Sequence, residues 1–172
     1  MWQKLYDEIK KQNFIIIAIA MDSEACAARP WIEAAELDYP ALIDRDHRVA
    51  ELYNMVNVPQ AVWIDESGTI VRPAENAGAY EGFRAMDLET WTMPEDELAT
   101  TVNAQTTYFS AVRDWARLGV DCGHLYSAAQ AKARTALPSK ETALAHCHFH
   151  LGQYLLRNGR KAEAQEHLAK AS

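Results

Sequence analysis

Three thiols, six imidazoles and one X-Pro step ahead of an apolar run hold most of the chemistry this chain can offer. The thiols are Cys26, Cys122 and Cys147, odd in number and widely spaced, which is not a disulfide framework. No two of them form a Cys-x-x-Cys pair, so the plain reading is reduced, mostly buried thiols. Cys26 stands apart because it is expected at the start of a helix, where the dipole favours the thiolate. A small packed residue is the simpler account of it. His146-Cys147-His148-x-His150 is the second cluster. On a helix, His146 and His150 lie one turn apart and face together, as two ligands of one metal must. Only His167, on the next helix, offers a third ligand, Cys147 points elsewhere on the wheel, and no metal or other cofactor is assigned. Asp44, Asp46 and His47 follow a short apolar run, and a helix-capping Asp explains them better than acid-base chemistry. Asp65 and Glu66 read as turn residues. There is no Gly-rich phosphate loop, no G-x-S-x-G and no H-E-x-x-H, so no catalytic residue is assigned.

Bulk properties narrow the partners. The chain has 172 residues, enough for one medium domain or two small ones. A net charge of -7 with scattered Lys and Arg disfavours nucleic acid and anionic membrane. The longest apolar run, Phe14 to Met21, is too short to span a bilayer. The first residues lack the basic-then-apolar layout of a signal peptide, which makes the cytoplasm the default location.

Elements that would position these residues follow from periodicity. Trp2, Leu5, Tyr6 and Ile9 predict a helix over 2–12. The continuous run from Phe14 to Ala20 predicts a strand covered on both faces, as in a parallel sheet. Asp22 or Ser23 caps a helix reaching about Leu37, its regular part beginning near Pro30. Tyr39 to Asp44 is a second strand, and Asp46 caps a helix carrying Val49, Leu52 and Tyr53. Strands Ala61 to Ile64 and Thr69 to Arg72 flank the turn Asp65-Glu66-Ser67-Gly68. Alternation that finishes in a hairpin makes the fold α/β with a mixed sheet. Residues 74–95 read as a linker or packed connecting segment, with room for a short helix near Phe83 to Met86. From 96 to 172 the pattern is helical. Asp96 to Leu118 turns Leu98, Val102, Val112, Trp115 and Leu118 to the core, and Ser127 to Thr135, Lys140 to Leu156 and Arg160 to Ala171 follow.

Three stretches together resemble the thioredoxin-like redoxins, in particular thiol-disulfide reductases and peroxiredoxin-like proteins. They are Ile15 to Ala20 followed by Asp22, Tyr39-Pro40-Ala41-Leu42-Ile43-Asp44, and Asn57-Val58-Pro59 leading into Trp63-Ile64-Asp65-Glu66-Ser67-Gly68. The last is the most specific, and the resemblance runs from about Trp2 to Pro73. It implies a cis peptide at Val58-Pro59 and a substrate-binding loop made of Val58, Pro59 and Gln60. It also implies a thiolate that attacks a substrate disulfide, from a Cys-x-x-Cys at the head of the first long helix. This chain departs from the family in lacking that pair and the strand before it. Residues 1–73 are therefore expected to be a thioredoxin-like part incomplete at its N-terminus, with the natural start upstream and no activity in the chain as it stands. The absent strand would lie between the strands at 15–20 and 61–64, and the open edge left there invites homo-oligomer formation.

Leu151-Gly152, Ala164, Leu168 and Ala171, around the Asn158-Gly159 turn, resemble a tetratricopeptide repeat, which implies a hairpin over 140–171. The expected architecture is thus an α/β, thioredoxin-like mixed sheet followed by an α-helical repeat-type region. The rival to an oxidoreductase is a non-catalytic module whose helices hold a protein or peptide partner.

Overall fold

The computed structural model describes every residue except Ser23, Ala25, Val56, 81–84, Leu88, Ala136, Leu137 and Ser172. The Ser23 cap and the first half of the short helix expected near 83–86 lie outside the described residues. The chain divides into two compact units, Met1–Thr135 and Ala136–Ser172.

In the first unit, α1 (Trp2–Ile9) carries Leu5 and Ile9 fully buried on one face. It stops short of Gln12, and Asn13 takes a left-handed φ of 52° that turns the chain away. β1 (Ala18–Ala20) pairs in parallel with β2 (Ala41–Ile43), Ala18 opposite Ala41 and Ala20 opposite Ile43. The strand expected from Phe14 is reduced to these three residues. Ile15 and Ile17 are 60% and 55% exposed, so the apolar run is not covered on both faces. Between the strands, α2 (Arg29–Ala34) begins with Pro30 in its first turn and ends before Leu37, where Glu36 adopts φ 45°. α3 (Arg48–Leu52) is capped differently from expectation. The Asp44 carboxylate, not that of Asp46, accepts the amides of Arg48 at 3.0 Å and Val49 at 2.6 Å. His47 precedes the helix with φ 55°, and this kink brings Asp44 within reach.

β3 (Gln60–Ile64) and β4 (Ile70–Asn76) form an antiparallel hairpin with Gln60 opposite Asn76 and Trp63 opposite Arg72. Its turn is the expected one. The Asp65 carboxylate accepts the Ser67 and Thr69 amides at 2.9 Å, and Gly68 supplies φ 83°. The Ser67 hydroxyl, which donates to the same carboxylate at 2.6 Å, and after it the Thr69 amide hold the Asp65 carboxyl below the ordinary range. β4 runs past Pro73 and takes in the start of the segment expected to be a linker. Among the described residues the strands make two two-stranded sheets, and no ladder joins β1–β2 to β3–β4. The single mixed sheet expected is therefore divided.

α4 (Glu95–Leu118) supplies Tyr108, Phe109, Ala111 and Val112 to the core shared with Leu5, Ile9, Trp63 and Val71. Trp115 packs on this core, whereas Leu98, Val102 and Leu118 are about half exposed, contrary to expectation. The core stripe occupies only the second half of the helix. It binds α4 to α1 and β3–β4, which is why the division between units comes after α5 (Ala128–Arg134) and not within 74–95. The Ser127 hydroxyl and Gln130 side chain close a capping box at the head of α5.

Glu8 on α1 is tied to Arg113 on α4 at 2.6 Å, which holds the Glu8 carboxyl below its ordinary range. Lys10 does the same to Asp7. A carboxylate lowered in the folded state adds stability above its unfolded pKa, and that gain is lost as pH falls through the folded value. Thermal stability is expected to decline below about pH 4, with a shallower decline in Glu8→Gln. Superimposable pH profiles for the two proteins would remove the pair from the account.

The second unit consists of α6 (Lys140–Arg157) and α7 (Lys161–Lys170). Ser139 caps α6 by accepting the Thr142 amide at 3.2 Å. Asn158 and Gly159, the latter at φ 76°, make the turn. Gly152 and Leu155 of α6 and Ala164 of α7 are buried, and Gly152 faces Leu168.

Candidate functional site

The Val58-Pro59-Gln60 loop enters the head of β3 and is held from both sides. The Asn57 side chain accepts the Val58 amide at 2.8 Å, and the Pro59 carbonyl accepts the Ala77 amide, just past β4, at 3.1 Å. The Val58-Pro59 peptide bond is cis. Val58 itself is 67% exposed, so a side chain in solvent is flanked by fixed main chain. Three residues beyond Gln60 the strand is anchored by Trp63, which is 4% exposed. The Trp63 indole donates to the Tyr108 hydroxyl at 2.8 Å and stacks on Trp115 at 4.8 Å between centroids. The Arg72 guanidinium lies 4.8 Å from the Trp63 ring centroid. Arg72 also holds Glu75 at 2.6 Å and donates to the His124 carbonyl at 2.9 Å. Burial pushes the Tyr108 hydroxyl up to about 12, so at neutral pH it stays protonated and acts as an acceptor for Trp63. This cluster is structural support for the loop. Tyr108 and Arg72 were not singled out from sequence, although Tyr108, Val112 and Trp115 share one helix face at i, i+4 and i+7.

Cys26 is not at a helix start. It lies in the turn closed by the Ala27 amide on the Glu24 carbonyl, three residues before α2, and is exposed. A turn there leaves it outside the first amides of α2. Nearby is a solvent-open hollow of about 510 Å³ lined by Ala20, Met21, Asp22, Ala27, Trp31 and Leu37, with Trp31 79% exposed. Cys122 is buried, Cys147 exposed, and all three cysteines are free thiols.

His146 is exposed and His150 half-buried on α6. Among the described residues no three His, Cys, Asp or Glu side chains gather into a metal-sized group. His167 meets His148, with Nδ1 atoms 2.8 Å apart, and not the His146/His150 pair.

Residues 1–72 match the AhpC/TSA family. The matched segment carries β1, β2, the Val58-Pro59 loop and β3, and ends within β4. Seventy residues are 30% identical to the thiol-disulfide oxidoreductase ResA of Halalkalibacterium halodurans. That alignment covers 41% of this chain and 40% of the relative, so the likeness spans about two fifths of each. No solved structure gives a significant match. No described helix is long and apolar enough to cross a membrane.

Proposed function

We propose that the first part of the chain is a thioredoxin-like redoxin module in which Val58, Pro59 and Gln60 receive an extended peptide. The observation that carries this reading is the family match over 1–72 together with an exposed Val58 flanked by pinned main chain. In disulfide exchange a thiolate bonds to one substrate sulfur, the other sulfur leaves as a thiolate, and a second thiol resolves the mixed disulfide. This chain offers no Cys-x-x-Cys for both steps. It binds at the loop without turning over. With dithiothreitol as reductant, insulin reduction is expected to run at the protein-free rate, unchanged by Cys26→Ser. Turnover above background that disappears in Cys26→Ser would overturn this.

A second reading rests on α6, whose Leu144, Phe149, Leu151, Tyr154 and Leu156 are all substantially exposed. An apolar helical surface of this kind suits a protein or peptide partner, and tetratricopeptide-like packing of α6 with α7 would present it. The two readings separate by truncation of side chains. Peptide capture lost on Leu144→Ser with Leu151→Ser supports the helical module, and capture lost on Val58→Asp supports the loop. Pairing of two copies through the open edges of β1 or β3 is the corresponding route to a homo-oligomer.

A further inference from the structure

Two imidazoles meet across the α6–α7 hairpin. The Nδ1 atoms of His148 and His167 are 2.8 Å apart, with ring centroids 5.1 Å apart and planes inclined by 31°. That centroid separation places both nitrogens between the two ring centres, so the contact is head-on. It is a hydrogen bond only while one Nδ1 carries a proton and the other keeps its lone pair. The neutral pair meets this condition. So does the pair with one added proton, taken up at the free Nε2 of the donor ring. A second added proton must go to the accepting Nδ1. Two N–H groups and two like charges then face each other at hydrogen-bond distance.

The surroundings do little to offset the second charge. On α7, Glu163 lies one turn before His167 and Glu166 beside it, and both act on His167 electrostatically. Each is already engaged, Glu163 by Arg160 and Glu166 by Lys170. On α6 the residues one turn either side of His148 are Leu144, Ala145, Leu151 and Gly152, none titratable. His146, Cys147 and His150 lie on other faces of that helix. Among the described residues this unit buries Gly152, Leu155 and Ala164, and His148 stands one turn before Gly152 on α6.

We propose that the His148–His167 contact is an acid-sensitive latch on the α6–α7 hairpin, closed while the pair holds at most one extra proton and open when both rings are charged. The test is hydrogen exchange of the full chain at about pH 7.5 and about pH 5, corrected for intrinsic exchange, with α1 and α4 amides as internal controls. Protection in α6 and α7 of the unmodified protein is expected to drop about tenfold at the lower pH. The double variant His148→Gln with His167→Gln can keep an amide hydrogen bond and cannot titrate, so its protection should be the same at both. An equal drop in both proteins, or none in the unmodified one, would overturn the latch. Nitrogen NMR of the unmodified protein gives an independent reading should the double variant misfold. One protonated and one bare Nδ1 at neutral pH support the proposal, and two protonated or two bare Nδ1 atoms refute it.

Discussion

Trp63→Ala is expected to lower the stability of the first unit by about 3–5 kcal/mol, the range for emptying a packed aromatic site. The indole is 4% exposed and lies in parallel contact with Trp115, their planes 7° apart. Its edge meets Tyr108 at 5.9 Å, and Arg72 covers it. Removing it leaves a cavity bounded by elements that cannot collapse independently, because α4 is also fixed on α1 through Trp2 and Phe109 at 4.8 Å. It also strips the buried Tyr108 hydroxyl of its donor. Denaturant unfolding followed by circular dichroism measures the loss. Trp31→Ala is the control, since that indole is 79% exposed and its removal should shift the midpoint little. Equal shifts in the two variants would mean that Trp63 is not the keystone described.

Gly152→Ala has a sign that discriminates. In an ordinary helix interior the change stabilises by about 1 kcal/mol. Here a Cβ would stand 2.7 Å from Leu168 Cγ, 2.9 Å from its Cδ2 and 3.2 Å from its backbone nitrogen. The helices would have to part, and overpacking of this kind costs about 1–3 kcal/mol. The expected result is weaker α6–α7 protection in hydrogen exchange and reduced helical signal. Adding Leu168→Ala should restore much of the loss, so the pair of substitutions falls short of the sum of each alone. A Gly152→Ala protein more stable than the parent would show that the helices are not in close approach.

What was legible in the sequence followed local chemistry. The Asp65-to-Gly68 turn, Pro30 at the head of α2 and the Asn158-Gly159 turn depend on neighbours in the chain, and each is found in place. Long-range features were less legible. Ile15 and Ile17 have the residue types of a buried strand, but no layer covers them in this structure, and periodicity cannot report a missing neighbour. Leu98 and Val102 share the helical spacing of the core face, yet the core contacts stop at the half of α4 that meets Trp63. Asp46 and Asp44 are equivalent as caps by composition, and the left-handed turn at His47 decides between them. At the candidate site, the loop was found from its motif, whereas the Trp63–Tyr108 hydrogen bond joins residues 45 apart and no local pattern announces it.

The break between the two sheets also sets how the first unit fluctuates. β1–β2 is three residue pairs long and buries no side chain, whereas β3–β4 carries Trp63, Val71 and Pro73 in the interior. Opening the first ladder exposes little new apolar surface, and opening the second dismantles the aromatic core. The unit therefore has a soft half and a hard half with no ladder to couple them. Opening of the β1–β2 ladder, whose Ala20 lines the Trp31 hollow, is expected to leave the β3–β4 ladder that follows the Val58-Pro59 loop in place. A ligand seated on that loop would instead be sensed along β3 by Trp63, and through it by the length of α4 that carries Tyr108 and Trp115.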